Sequence, residues 1–125
     1  MEEGIRVVPK GALQSAPSTT GMTRMTAVSG ERIWLGEVHT SPGAVSGWHH
    51  HGNYTTYGRV IAGKIRFDFG PGGGESLEAG HGDFFVVPPG TVHRESNPGS
   101  EEQLLVGIRT GKGPTIVNVA GPDST

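Results

Sequence analysis

The 125-residue chain predicts an all-β fold, a sandwich or barrel of about ten short strands. Three observations carry this. Apolar and polar residues alternate with a period of two, most clearly where Ile65, Phe67 and Phe69 interleave with Arg66 and Asp68. Turn-forming clusters recur at short spacing, among them Pro42-Gly43, Gly70-Pro71-Gly72-Gly73-Gly74 and Asn97-Pro98-Gly99. No stretch sustains a 3.6-residue period between capping residues. The length supports a single domain over residues 1–125 with a single core.

Residues 5–8 read as a first strand ended by Pro9, and the small, polar residues 11–21 as a loop or arm. The chain thus divides into an N-terminal strand and arm over 1–21, a barrel over 22–119 and a tail over 120–125. Strands are expected at 22–28 and 32–39, joined at Ser29-Gly30, and again at 46–51. Residues 56–62 and 64–69 read as a tight hairpin about Gly63. Short strands follow at 75–78, 83–87 and 92–96, and residues 102–109 and 115–119 finish the sheet. Phe67, Phe69, Phe84 and Val86 are expected in the core or lining a pocket, with Phe85 and Val87 on the opposite face.

Composition narrows the function classes. Hydrophobic residues make up 33% of the chain and aromatics 6%, so the core is modest. A net charge of −2 without any basic block argues against a nucleic-acid partner. The absence of cysteine excludes a disulfide scaffold, a thiolate metal site and a cysteine nucleophile. The start of the chain lacks the basic and apolar pattern of a signal peptide, and Phe84-Phe85-Val86-Val87 is too short to span a bilayer. The expectation is a soluble cytoplasmic protein with no membrane association. The glycine-rich run at 70–74 lacks the Lys-Ser/Thr ending and the following helix of a phosphate cradle, and reads as a turn.

The chemistry concentrates in Trp48-His49-His50-His51 and in Pro88-Pro89-Gly90-Thr91-Val92-His93. On a strand, side chains at i and i+2 share a face, with Cα atoms roughly 7 Å apart. His49 and His51 can therefore converge on one ion, and His93 closes a triad with open coordination positions. The competing reading is a hydrogen-bonded polar network without metal. Three buried imidazoles with no proton acceptor among them would be costly in that case. His50 points the opposite way and reads as surface or interface; His39 and His81 sit at strand ends without a metal role, His39 within reach of the mouth.

These residues and their spacing resemble the cupin superfamily in its small single-domain form. Its first motif reads here as Gly43, five residues, His49-His50-His51, four residues, Thr56, six residues, Gly63. Its second reads as Gly82, five residues, Pro88-Pro89-Gly90, two residues, His93, three residues, Asn97. The second motif matches at every defined position. The first departs at one, because Thr56 stands where the family has a glutamate ligand. The resemblance implies a jelly-roll β-barrel, also described as a double-stranded β-helix, with His49, His51 and His93 holding one divalent transition metal inside it. It also implies a homodimer. Gly43, Gly63, Gly82, Pro88, Gly90 and Asn97 are scaffold positions that set turns.

Replacing the carboxylate with Thr56 leaves a divalent ion at formal +2 instead of +1. Such a site favours a small anionic or chelating ligand, and three imidazoles do not choose among Fe, Mn, Zn, Ni and Cu. Thr56 either packs its methyl on the barrel wall or faces the ion and leaves room for substrate. Glu95 shares a face with His93. It is a partner that fixes an imidazole, a general base, or a partly solvated carboxylate paired with an arginine. Thr56 and Glu95 are the catalytic candidates. Tyr57 and Trp48 face away from the metal, and Tyr54 lies in a loop at the mouth. The leading reading is a metalloenzyme for dioxygenase-like oxidation, or for Lewis-acid isomerisation or decarboxylation of a small enolisable acid. The rival is a module that binds a metabolite or metal without turnover. A sensor domain of a transcription factor is disfavoured, since no helix-turn-helix accompanies the barrel.

Overall fold

The computed structural model describes residues 4–123 and contains, among them, eleven strands and no α-helix. The strands are β1 (Gln14–Thr19), β2 (Met22–Ser29), β3 (Ile33–Thr40), β4 (His49–His50), β5 (Thr55–Ala62) and β6 (Lys64–Phe69). They continue as β7 (Glu75–Gly80), β8 (Phe84–Val87), β9 (His93–Ser96), β10 (Gln103–Thr110) and β11 (Val117–Asn118). Two antiparallel sheets result, one ordered β1-β2-β3-β10-β5-β8 and the other β11-β4-β9-β6-β7. This is the all-β jelly roll expected from the sequence. Among the described residues no helix is long and apolar enough to cross a membrane.

The core lies between the two inner faces. Val38, Val60, Val87 and Leu105 of the first sheet are buried with Ile65 and Phe67 of the second. The first sheet carries a row of glycines across its inner face. Gly36 on β3 opposes Gly107 on β10, which opposes Gly58 on β5. Large rings occupy the space that missing side chains leave. The Trp34 indole lies over Gly36, where an added Cβ would come within 2.6 Å of it, and the Phe85 ring covers Gly58.

Several sequence expectations are corrected. Residues 5–8 form no strand, and Ile5 and Val7 are exposed. The strand that occupies the sheet edge is β1, inside the segment read as a loop. Its small polar residues hide the alternation, and its pairing with β2 is irregular just where Pro17 interrupts it. Residues 56–62 and 64–69 are not a hairpin. At Gly63, with φ of 76°, the chain passes from one sheet to the other. Phe84 and Val86, 75% and 58% exposed, line a cavity and not the core, while Phe85 and Val87, expected on the opposite face, face the core. Register decides this, because β8 pairs Gly58 with Phe85 and Thr56 with Val87. Strands β4 and β11 are two residues each, shorter than the 46–51 and 115–119 expected.

Candidate metal centre

The second sheet places the three histidines together. His49 on β4 and His93 on β9 are directly paired. His51 follows β4 by one residue and returns to the same face. All three are buried, at 3%, 1% and 3% exposure for His49, His93 and His51. Their ring centroids lie 4.4 to 5.1 Å apart. One nitrogen from each ring lies within 4.8 Å of one from each of the others, and among the described residues this cluster contains the three histidines alone.

Backbone carbonyls fix the rings. The Nδ1 of His49 donates to Gly47 O at 2.8 Å, that of His51 to Thr115 O at 2.7 Å, and that of His93 to Thr91 O at 2.8 Å. A carbonyl only accepts, so each Nδ1 carries the proton and each Nε2 is left as the inward donor atom. The Nε2 atoms of His49 and His93 are buried without a hydrogen-bond partner. Orphaned imidazole nitrogens turned toward one another fit a divalent ion bonded at about 2.0–2.1 Å. The same carbonyl contacts orient histidine ligands in metal sites generally. His50 faces outward, and its Nδ1 accepts from Gly52 N at 3.0 Å.

The family model described as Cupin domain matches residues 36–108, a span that contains all three histidines. The chain belongs to the cupin family. Germin-like protein 3-8 of Oryza sativa subsp. japonica is 32% identical over 87 residues. That match covers 68% of this cupin, which spans 39% of the germin-like relative. A double-stranded β-helix protein of Klebsiella pneumoniae superposes with a TM-score of 0.71 at 22% identity, covering 95% of this chain and 99% of the other. Oxalate decarboxylase of Bacillus subtilis, a protein with Mn(II) centres, gives 0.71 at 25% identity over 85% of this chain and 30% of the other. KdgF from Halomonas sp. gives 0.69 at 19% identity, covering 86% and 96%.

In this cupin Glu95 is buried, not solvated at a strand end as one sequence reading had it. No arginine pairs with it among the described residues. Its Oε2 lies 3.6 Å from His93 Nε2. Ser46 clamps its backbone: Ser46 N donates to Glu95 O at 2.8 Å, and Glu95 N donates to Ser46 Oγ at 2.9 Å. Burial alone would raise the Glu95 pKa, but the imidazoles of His93, His49 and His51 hold the carboxyl below the usual range. Burial would lower His93, yet the adjacent carboxylate pushes it above 6.5. Burial dominates at the other two. It lowers His49, and together with the Arg109 charge it lowers His51 to about 3. Thr56 is buried on the facing sheet, with its Oγ1 unpartnered.

A cavity of about 390 Å³ opens between the edge strands β7 and β8 and reaches His93. Phe67, Phe69, Leu77, Phe85 and Val87 line it, so the way to the histidines is apolar. Tyr54 is buried, Tyr57 is exposed, and Trp48 stacks under Arg94 at 4.7 Å. His39 lies between Glu37 and Glu102, and His81 is exposed in a turn.

Sequence reasoning missed two charged residues of the interior, Arg24 at 3% and Arg109 at 7% exposure. Arginine is rarely buried, and nothing in the motifs singled out either residue. Parity was the available signal. Arg24 shares a face with Met22, and Arg109 with Leu105 and Gly107, all of them buried.

Proposed function

We propose that this cupin is a metalloenzyme acting on a small anionic substrate through one divalent transition metal held by His49, His51 and His93. The single observation that carries the reading is the set of three buried imidazoles whose Nδ1 atoms are committed to carbonyls while their Nε2 atoms face one another. When bound, the ion supplies Lewis acidity, and a redox-active ion adds oxidation chemistry.

The chain's own residues do the rest. Thr56 is short and neutral where the family has a glutamate, so it leaves both space and positive charge for an anionic ligand. Glu95, buried 3.6 Å from His93 Nε2, is placed to accept a proton from the substrate. The apolar cavity between β7 and β8 admits substrate and limits water. The Mn(II)-containing oxalate decarboxylase neighbour supports a divalent ion and a carboxylate-bearing substrate. A homodimer belongs to the same reading, supported by Tyr57 and Ile108, which are exposed and paired on the outer face of the first sheet.

The test is elemental analysis of protein purified without added metal, followed by oxygen-uptake and product assays with 2-oxo acids, diketones and dicarboxylates. Turnover that depends on metal, is lost in His51→Ala and is reduced in Glu95→Gln is the expected result. Stoichiometric metal without turnover of any of these substrates would leave a binding module. Protein that takes up no metal would end the proposal.

A further inference from the structure

The first sheet faces the histidines with two buried cations. Arg24 projects from β2 and Arg109 from β10, with β3 between them. Arg24 Nε and Nη1 and Arg109 Nε are buried without a hydrogen-bond partner. Among the described residues no carboxylate lies within 4 Å of either guanidinium. Both line a second cavity of about 390 Å³, together with Ser15, Thr26, Trp34 and Thr115.

The arrangement is built, not incidental. Arg109 stacks over the Trp34 ring at 5.0 Å, and Trp34 Nε1 donates to Thr26 Oγ1 at 2.9 Å. The absence of a side chain at Gly36 gives the indole room to lie under Arg109. Two buried like charges without an ion-pair partner favour an anion between them. Glu95 is the nearby carboxylate, and it sits against His93 instead. The cavity also abuts the metal centre. Thr115 lines it and gives its carbonyl to His51, and Arg109 is directly opposed to Thr56 across β10 and β5.

We propose that Arg24 and Arg109 form the anion-binding subsite of this cupin, gripping a carboxylate of a small organic acid in the cavity between β1 and Thr115. A guanidinium fork matches the two oxygens of a planar carboxylate, and the cavity has room for a small organic acid. The subsite rests on the metalloenzyme reading in one respect: the rest of the ligand extends past Thr56 toward the histidines.

The experiment titrates malonate, acetate and inorganic phosphate into the whole chain by calorimetry, as purified and after dialysis against a chelator. Metal content and melting temperature are read on the same samples. Malonate is expected to bind in both states and raise the melting temperature. Arg24→Met and Arg109→Met are each expected to weaken malonate by more than about 30-fold. Their ligand-free melting temperatures should equal or exceed the parent's, because an unpaired buried charge has been removed. Arg109→Lys keeps the charge but loses the fork, and should also weaken binding. The inference is overturned if malonate fails to bind, if phosphate binds and carboxylates do not, or if the methionine variants bind like the parent. It is equally overturned if those variants melt well below the parent, since the arginines would then be structural. A parent that holds no metal as purified and takes none up when divalent ions are added, with malonate binding intact, would instead defeat the metalloenzyme reading alone.

Discussion

His49 and His93 occupy directly opposed positions on β4 and β9, and their rings approach to 4.4 Å between centroids. That pairing turns a separation of more than forty residues into one strand spacing. It also makes the second cupin motif as necessary to the centre as the first. His51 enters through the period of two, so its neighbour His50 is a built-in control. His51→Ala is expected to abolish stoichiometric metal binding after dialysis, and His50→Ala to leave it unchanged. Metal loss in the His50 variant would mean that the parity of this strand is reversed.

Thr56→Glu restores a carboxylate at the position where the family carries one. It should tighten metal retention against a chelator and weaken binding of anions, because the ion's net charge falls from +2 to +1. Equal retention in both proteins would mean that position 56 does not reach the ion and that the new carboxylate pairs with Arg109 across the strands instead.

Gly58→Ala tests the glycine row. A Cβ there collides with the Phe85 ring, and β5 and β8 are both fixed by their pairing. The expected cost is about 1–3 kcal/mol of overpacking, measured by urea denaturation. The companion change Phe85→Leu should recover part of it. No loss of stability in Gly58→Ala would mean that Phe85 does not lie over β5.

His39 sets a pH dependence away from the site. Burial lowers its pKa, but Glu102 and Glu37 on either side outweigh this and raise it above 6.5. A group raised on folding stabilises most below its unfolded value. The parent should therefore exceed His39→Gln in stability below pH 6.5, and the difference should vanish as pH rises through the folded-state value. Denaturation curves across that window check the sign. A difference that grows toward alkaline pH would contradict it.

The histidines were legible in the sequence because their spacing fits a strand and their motifs fit a family. Turns were legible for the same reason that Gly and Pro mark them. The face of β8 was not, since Phe84-Phe85-Val86-Val87 has no polar residue to fix parity and only pairing with β5 decides it. Strand β1 was hidden by small polar residues, and the crossing at Gly63 looks locally like a hairpin. Arg24 and Arg109 stayed invisible because charge normally marks the solvent face. The parity they share with the buried Met22 and Leu105 was the signal against that rule.

X-ray absorption spectroscopy of the zinc-loaded chain tests the metal centre most directly. One zinc per chain with three imidazole ligands at about 2.0–2.1 Å and the remaining positions filled by light atoms is the expected result. A spectrum with fewer than three imidazoles, or a chain that retains no zinc after dialysis, would contradict it.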